Sequence, residues 1–237
     1  MNDKKKIALI TGASTGLGKS MALKLSKKGF DTILASRNFN KLEEISHQIS
    51  GFGSRSYPFM LDVRNEQSVN DLKNFTKDIG FVDVIINNAG FGKFDEIRNL
   101  EVKDWDEQMS VNLRGSFLIT KYFCNDMINQ KIGTIVFINS VAGKKAYPYS
   151  SAYVTSKFGL LGFSRSLREE LREHNIKVIS VHPGAISTPF WENVEADFSK
   201  DDMMDSDNVA ETIVHAVLAP DNVVLEEIDI QRTLGDF

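Results

Sequence analysis

Short apolar runs alternate along the chain with longer stretches in which apolar residues recur at helical spacing. Seven runs rich in Val, Ile, Leu, Phe and Thr predict strands over residues 7–10, 32–35, 56–61, 82–87, 134–139, 178–182 and 223–230. Several of these runs are apolar at nearly every position, which is typical of parallel strands that are covered on both faces.

Amphipathic stretches between the strands predict six helices, over residues 18–28, 39–49, 66–79, 102–130, 150–174 and 207–218. Because strands and helices alternate from one end to the other, the sequence predicts an α/β fold, a doubly wound parallel sheet of about seven strands of the Rossmann type. No linker or repeat interrupts this pattern, so residues 1–237 are predicted to form one domain. The irregular segment 189–206 is predicted to be a lid over the substrate.

Composition and charge narrow the class of protein. Hydrophobic residues make up 42% of the chain and charged residues 25%, as in ordinary globular proteins. A formal net charge of −4 argues against a nucleic-acid partner, and the apolar run after Lys4–Lys6 is too short to enter a membrane. The single cysteine, Cys124, fits a reducing cytoplasm and is predicted to pack inside a helix. No cysteine–histidine cluster has the spacing of a metal site.

The first predicted strand leads directly into a glycine-rich turn, which in turn opens a helix. Gly12 and Gly16 allow a tight turn in which backbone amides approach a pyrophosphate, and Gly18 lets the helix pack against the sheet. The helix N-terminus adds amide donors and a partial positive charge. This context predicts a dinucleotide site formed by Gly12, Ser14, Thr15, Gly16, Leu17 and Gly18.

Three residues in the second half of the chain predict proton chemistry. Tyr153 and Lys157 are four residues apart on a predicted helix and therefore share one face. Since a free phenol exchanges protons poorly at neutral pH, the positive charge of Lys157 is expected to lower its pKa. Ser140 follows the fifth predicted strand at its carboxyl end, where it can hold a substrate oxygen on which charge develops. The set predicts interconversion of a carbonyl and an alcohol. The four histidines show no comparable spacing.

The ordered motifs resemble those of the short-chain dehydrogenase/reductase family over essentially the whole chain. They are T-G-x-x-x-G-x-G from Thr11, N-N-A-G at residues 87–90, S…Y-x-x-x-K at Ser140, Tyr153 and Lys157, and P-G-x-x-x-T from Pro183. The resemblance implies that Asp62 contacts adenine, that Lys157 also binds the nicotinamide ribose, and that Asn112 anchors a water linked to Lys157. It further implies cofactor contacts from Val63, Asn88, Ala89, Gly90, Tyr153, Pro183, Gly184, Ile186 and Thr188. A homodimer or homotetramer formed through residues 102–130 and 150–174 is expected on the same basis.

The end of the second predicted strand indicates which nicotinamide cofactor is used. It reads Ala35-Ser36-Arg37 and lacks the acid that would accept hydrogen bonds from the ribose 2′-hydroxyl of NAD. Arginine can instead pair with the 2′-phosphate of NADP through two charge-assisted hydrogen bonds. Ser36 and Arg37 therefore favour NADP(H) over NAD(H).

Several functions stay open at this point. The leading hypothesis is an NADP-dependent ketone or aldehyde reductase acting on a small molecule. A 3-ketoacyl-carrier-protein reductase would need a basic patch for its acidic carrier, for which Lys144 and Lys145 are the candidates. The chain's C-terminus is closer to general or sepiapterin-reductase-like relatives. A redox sensor that binds the nucleotide without turnover would not need Tyr153 and Lys157.

Overall fold

Seven parallel strands form one sheet in the order β3-β2-β1-β4-β5-β6-β7 in the computed structural model, which describes residues 5–192, 194 and 200–235. The strands are β1 (Ile7–Thr11), β2 (Asp31–Ser36), β3 (Ser56–Met60), β4 (Val84–Asn87), β5 (Gly133–Ile138), β6 (Ile176–Pro183) and β7 (Glu227–Ile230). The predicted doubly wound α/β fold is confirmed. Chain order reverses between β1 and β4, and this switch point is where such sheets bind ligands.

Seven α-helices cover the sheet: α1 (Gly16–Lys27), α2 (Phe39–Ser50), α3 (Glu66–Thr76), α4 (Val102–Gln108), α5 (Ser116–Gln130), α6 (Ser151–Leu171) and α7 (Ser206–Val217). The helical stretch predicted over 102–130 is continuous, but its middle part, Met109–Gly115, is a π-helix that separates α4 from α5. A π-helix has i→i+5 hydrogen bonds in place of i→i+4, and the apolar pattern alone did not reveal it.

The last strand is shorter than predicted. β7 covers Glu227–Ile230, where it pairs with the end of β6 from Ser180 to Pro183. The preceding apolar residues Val223 and Leu225 lie outside the sheet and are 45% and 41% exposed. Their apolar character predicted strand, but the Val178 carbonyl oxygen of β6, opposite this segment, accepts instead from the guanidinium of Arg168, which also binds the Glu226 carbonyl oxygen.

Alternate residues of the central strands supply two separate cores. Ile10 packs on one face with Met21 of α1 and Ile213 of α7. Leu9, its neighbour in β1, packs on the other face with Phe123 of α5. Because successive side chains of a strand point to opposite faces, covering both faces requires apolar residues at every position. This explains the continuous apolar runs in the sequence.

Two further predictions concern Cys124 and the lid, and the structure corrects the first and describes only part of the second. Cys124 is only half-buried, its thiol 3.6 Å from the carbonyl oxygen of Lys121, and burial raises its pKa so that the reactive thiolate is disfavoured. Within the predicted lid, short 3₁₀ turns lie at Pro189–Trp191 and Lys200–Asp202, whereas residues 193 and 195–199, including Phe198, lie outside the described residues. No helix in the described part of the chain is long and apolar enough to cross a membrane.

Candidate active site

A cleft of about 2140 Å³ runs along the carboxyl ends of the central strands. It extends from the glycine turn, past the ends of β4 and β5, to the 3₁₀ turn Pro189–Trp191. The residues predicted to bind cofactor or substrate converge there, and all of them except Asn112 line it: Gly12, Ser14, Thr15, Gly16, Leu17, Gly18, Ser36, Arg37, Asp62, Val63, Asn88, Ala89, Gly90, Ser140, Tyr153, Lys157, Pro183, Gly184, Ile186 and Thr188.

The glycine turn has the geometry that only glycine tolerates. Gly12 and Gly16 have φ values of +64° and +50°, and a Cβ atom on Gly18 would lie 2.3 Å from the Gly12 carbonyl oxygen. Thr15 precedes α1 with extended backbone, and its side chain forms no capping hydrogen bond. The Thr15 hydroxyl therefore does not cap the first amides of α1. These amides belong to Gly16, Leu17 and Gly18, which line the cleft.

Thr11 and Asn88 connect the turn to β4, and Thr11 was missing from the predicted site. The Thr11 hydroxyl oxygen accepts hydrogen bonds from the amides of Asn88 and Ala89, each at 3.0 Å. The Asn88 side chain donates to the carbonyl oxygens of Thr11 at 2.9 Å and Gly12 at 3.2 Å. The threonine of the T-G-x-x-x-G-x-G motif was the available signal, since a buried hydroxyl beside a turn needs partners.

Two arginines lie at one end of the cleft. Arg37 is exposed at its wall, close enough to Asp62 to contribute to lowering the pKa of that carboxyl. The largest cause of that lowering is the side chain of Arg64, whose guanidinium binds both Asp62 oxygens at 2.7–3.1 Å. Arg64 also contacts Glu107 at 2.7 Å. Asp62, whose pKa Arg37 helps to lower, is thus already paired with another arginine.

Ser140, Tyr153 and Lys157 lie together at the centre of the cleft. The Ser140 hydroxyl accepts a 3.1 Å hydrogen bond from the Ala142 amide and hydrogen-bonds the Tyr153 phenol. The Lys157 ammonium lies 5.6 Å from the centre of the Tyr153 ring and donates a 2.9 Å hydrogen bond to the carbonyl oxygen of Ile138. These contacts fix the amine on one side of the phenol and the hydroxyl on the other.

The pKa values in this arrangement differ from the sequence expectation. Burial raises the pKa of Tyr153 to about 12, and the Ser140 hydrogen bond opposes that rise. Burial also lowers the pKa of Lys157 to about 8. The expectation that Lys157 lowers the phenol pKa therefore does not hold in this structure, because desolvation dominates both groups. The phenol is protonated at neutral pH, as a proton donor must be.

Asn112 lies beside the cleft rather than in its wall. It belongs to the π-helix and is 1% exposed. Its Oδ1 accepts from the Phe91 amide at 3.0 Å, and its Nδ2 donates to the Phe91 carbonyl oxygen at 2.9 Å and the Ser156 hydroxyl at 3.0 Å. Its side chain therefore holds the loop after β4, and the expected water link to Lys157 stays a prediction.

Aromatic rings border Tyr153 on the substrate side. Phe94 and Phe190 lie 5.4 and 5.7 Å from the Tyr153 ring, centroid to centroid, and Trp191 stacks on Phe94 at 6.3 Å. Phe94 was not predicted, although its position shortly after β4 at the same sheet edge was a usable signal. Two methionines of the predicted lid, Met203 and Met204, are absent from the cleft wall as the structure describes it. Met204 packs against the core instead.

The other candidates from the sequence have structural partners. Lys144 contacts Asp229 at 2.8 Å and Glu227 at 3.1 Å and so anchors β7. His182 is completely buried, with Nδ1 3.2 Å from the Ser140 carbonyl oxygen, and burial lowers its pKa so that the ring is neutral. Within the described residues, no three His, Cys, Asp or Glu side chains are grouped as a metal site would require.

Comparison with known proteins agrees with this geometry. A family model described as short chain dehydrogenase matches residues 6–199. A sepiapterin reductase of Chlorobaculum tepidum is 35% identical over 241 residues, and the alignment covers 98% of each chain. A 3-oxoacyl-acyl-carrier-protein reductase of Thermotoga maritima is 32% identical over 190 residues, and that alignment covers 80% of this chain and 77% of the relative. An alcohol dehydrogenase of Thermococcus sibiricus, solved with 5-hydroxy-NADP, has a TM-score of 0.89 at 27% identity and covers 96% of each chain. The chain therefore belongs to the short-chain dehydrogenase/reductase family of oxidoreductases.

Proposed function

We propose that this protein is an NADP-dependent reductase of uncharged ketones or aldehydes. The observation that carries the proposal is a protonated phenol, Tyr153, that adjoins the Ser140 hydroxyl in a cleft with two arginines at one end and aromatic rings at the other. A substrate carbonyl between Tyr153 and Ser140 would place its substituents against Phe94 and Phe190, whose apolar rings suit an uncharged molecule.

The residues present fit a dinucleotide. The turn leaves no room for a Cβ atom at Gly12 or Gly18 and carries the first amides of α1 to the cleft wall, as a pyrophosphate site requires. The 2′-phosphate is assigned to Arg37, because Asp62, the acid whose pKa Arg37 helps to lower, already pairs with Arg64. NADPH, when bound, would supply the hydride.

Residues of this chain handle the proton. Ser140 binds the substrate oxygen through its hydroxyl, whose oxygen is already held by the Ala142 amide. Tyr153 donates its phenolic proton to that oxygen as negative charge develops there. Lys157, with a pKa of about 8, exchanges protons at neutral pH and restores the phenol. The segment 189–206 is proposed to cover the substrate during this step.

A reductase of carrier-bound ketoacyl groups is the narrower alternative, and one relative bears that name. It would need free cations at the mouth of the cleft to receive an acidic carrier. Lys144 is instead bound to both Asp229 and Glu227, so it is not available for docking without breaking that contact. This observation favours a free small molecule over a carrier protein.

Turnover tests the proposal. Ketones, aldehydes, sepiapterin and a carrier-bound ketoacyl thioester are offered with NADPH or NADH, and nicotinamide absorbance is followed. Tyr153→Phe should bind NADPH normally and lose turnover by roughly 10²- to 10⁴-fold, because only the acid is removed. Tyr57→Phe, on β3 away from the cleft, is the matched control. Near-normal turnover by Tyr153→Phe would contradict the mechanism.

We also propose that the protein forms a homodimer or homotetramer through α5 and α6. Each helix carries an exposed aromatic residue, Phe117 at 42% and Phe158 at 45% exposure. Burial of such rings favours association. Light scattering of Phe117→Glu and Phe158→Glu would detect dissociation. A cytoplasmic location stays a prediction.

A further inference from the structure

The loop at residues 91–95, between β4 and α4, borders the substrate side of the cleft without being part of a helix or a strand. It carries Phe94, whose ring contacts those of Tyr153, Phe190 and Trp191. Since α6 fixes Tyr153, the position of this loop decides where Phe94 lies relative to the phenol. An irregular segment needs contacts from outside to hold one position.

Two side-chain amides from the neighbouring helical segment supply those contacts. Asn112 uses Oδ1 and Nδ2 on the amide and carbonyl groups of Phe91. Gln108 binds the amide and carbonyl groups of Lys93, two residues further along the loop. Its Oε1 accepts from the Lys93 amide at 3.1 Å, and its Nε2 donates to the Lys93 carbonyl oxygen at 3.3 Å. The two amides thus bind alternate residues of the loop, as a neighbouring strand would.

The same face of the helical segment provides a third contact. Asp104 pairs with the ammonium group of Lys93, and its carbonyl oxygen accepts from Gln108 Nε2 at 3.3 Å. Asp104, Gln108 and Asn112 recur every four residues and are 8%, 0% and 1% exposed. Buried polar side chains destabilise a helix face unless they are hydrogen-bonded. Here their shared partner is the loop that carries Phe94.

We propose that Gln108 is a positioning residue, which fixes the 91–95 loop and thereby aligns a carbonyl substrate between Phe94 and Tyr153. Gln108 is fully buried and does not line the cleft, so it acts only through Lys93 and the ring that follows it. This inference rests on the proposed function for the identity of the reaction. The contact itself does not depend on that reaction.

A pair of substitutions separates positioning from folding. Gln108→Met keeps the length of the side chain and removes both hydrogen bonds to Lys93. It should lower kcat/KM for a carbonyl substrate by about tenfold to a hundredfold, because a small misplacement of a reacting group has that effect. The dissociation constant for NADPH should change by less than about twofold, since none of the residues assigned to it lies within the loop. Gln67→Met, on the exposed surface of α3, is the matched control.

Gln108→Glu adds a readout that a merely structural role would not give. An ionised carboxylate accepts from the Lys93 amide but cannot donate to its carbonyl oxygen, whereas a protonated carboxyl group can do both. Burial and the nearby Asp104 should raise the pKa of the introduced acid. The ratio of kcat/KM between Gln108→Glu and the wild type should therefore rise as the pH falls.

The outcomes are distinct. A folded Gln108→Met with wild-type kcat/KM, or one whose whole loss lies in NADPH binding, would overturn the inference. If Gln108→Met does not fold, a pH-independent ratio for Gln108→Glu would overturn it. If the wild type reduces no carbonyl, the proposed function fails instead. Hydrogen exchange of the Lys93 amide then decides the inference, because exchange should be slow in the wild type and in Gln108→Glu, which keep an acceptor for that amide, and fast in Gln108→Met, which does not; equal rates in the wild type and Gln108→Met would refute it.

Discussion

The hydroxyl of Thr11, at the end of β1, accepts hydrogen bonds from the main-chain amides of both Asn88 and Ala89. One buried side chain thus joins the glycine turn to the strand across the switch point. The Asn88 amide group returns two hydrogen bonds to the turn, at Thr11 and Gly12. The cradle assigned to the pyrophosphate therefore depends on contacts between strands that are far apart in sequence.

Thr11→Val should weaken this junction, because it keeps the shape of the side chain but removes the acceptor of the Ala89 amide and one of the two acceptors of the Asn88 amide. The expected loss is about 1–3 kcal/mol in the free energy of unfolding, together with weaker NADPH binding. Thr32→Val is the control, since the Thr32 hydroxyl in β2 is equally buried but has no hydrogen-bond partner in the structure. Denaturant titration and nicotinamide fluorescence measure the two effects. Equal behaviour of the two variants would refute the assigned role of Thr11.

The sequence predicted the fold and the members of the cleft because both depend on local patterns. Continuous apolar runs identified parallel strands, and the turn around Gly12 identified the nucleotide end. Contacts made by one residue on a distant segment left no comparable pattern. Thr11 was visible only as part of a motif, and Gln108 resembled any polar residue within a helix.

Burial also changed the chemistry that residue types alone suggested. Tyr153 and Lys157 four residues apart predicted an ammonium that lowers the phenol pKa. The surrounding side chains desolvate both groups, which raises one pKa and lowers the other. The sequence shows that a charged residue lies close to Tyr153, but it does not show how completely the folded protein excludes water from the two groups.

Stability should depend on pH through Lys157. Burial lowers its pKa from 10.5 to about 8, so between these values the unfolded state binds more protons than the folded state. The free energy of unfolding should therefore rise with pH across this window, and below it the buried ammonium costs up to roughly 3 kcal/mol. Tyr153, whose pKa rises from 10.0 to about 12, should lower stability only above pH 10.0.

Lys157→Met should accordingly raise the free energy of unfolding at neutral pH and abolish its increase between about pH 8 and pH 10, while it removes turnover. Exposed Lys77, at the end of α3, provides Lys77→Met as the control. Urea titrations at several pH values measure both the level and the slope. A variant that retains the wild-type slope would assign the titration to another group.

Cofactor choice should depend on Arg37. Asp62, whose pKa Arg37 helps to lower, is bound on both oxygens by Arg64, and Arg37 lies exposed at the cleft wall. Arg37→Asp should weaken NADPH binding by about tenfold to a hundredfold, the effect of losing a charge-assisted hydrogen bond, and should improve the use of NADH. Arg98→Asp, on an exposed surface outside the cleft, controls for the change in net charge. The ratio of kcat/KM for the two cofactors is the measurement. Arg64→Ala should act in the same sense on this ratio, because it frees the Asp62 carboxylate beside the phosphate and so repels NADPH without removing Arg37. If Arg37→Asp leaves the ratio unchanged while Arg64→Ala lowers it, the 2′-phosphate lies nearer to Asp62 than to Arg37.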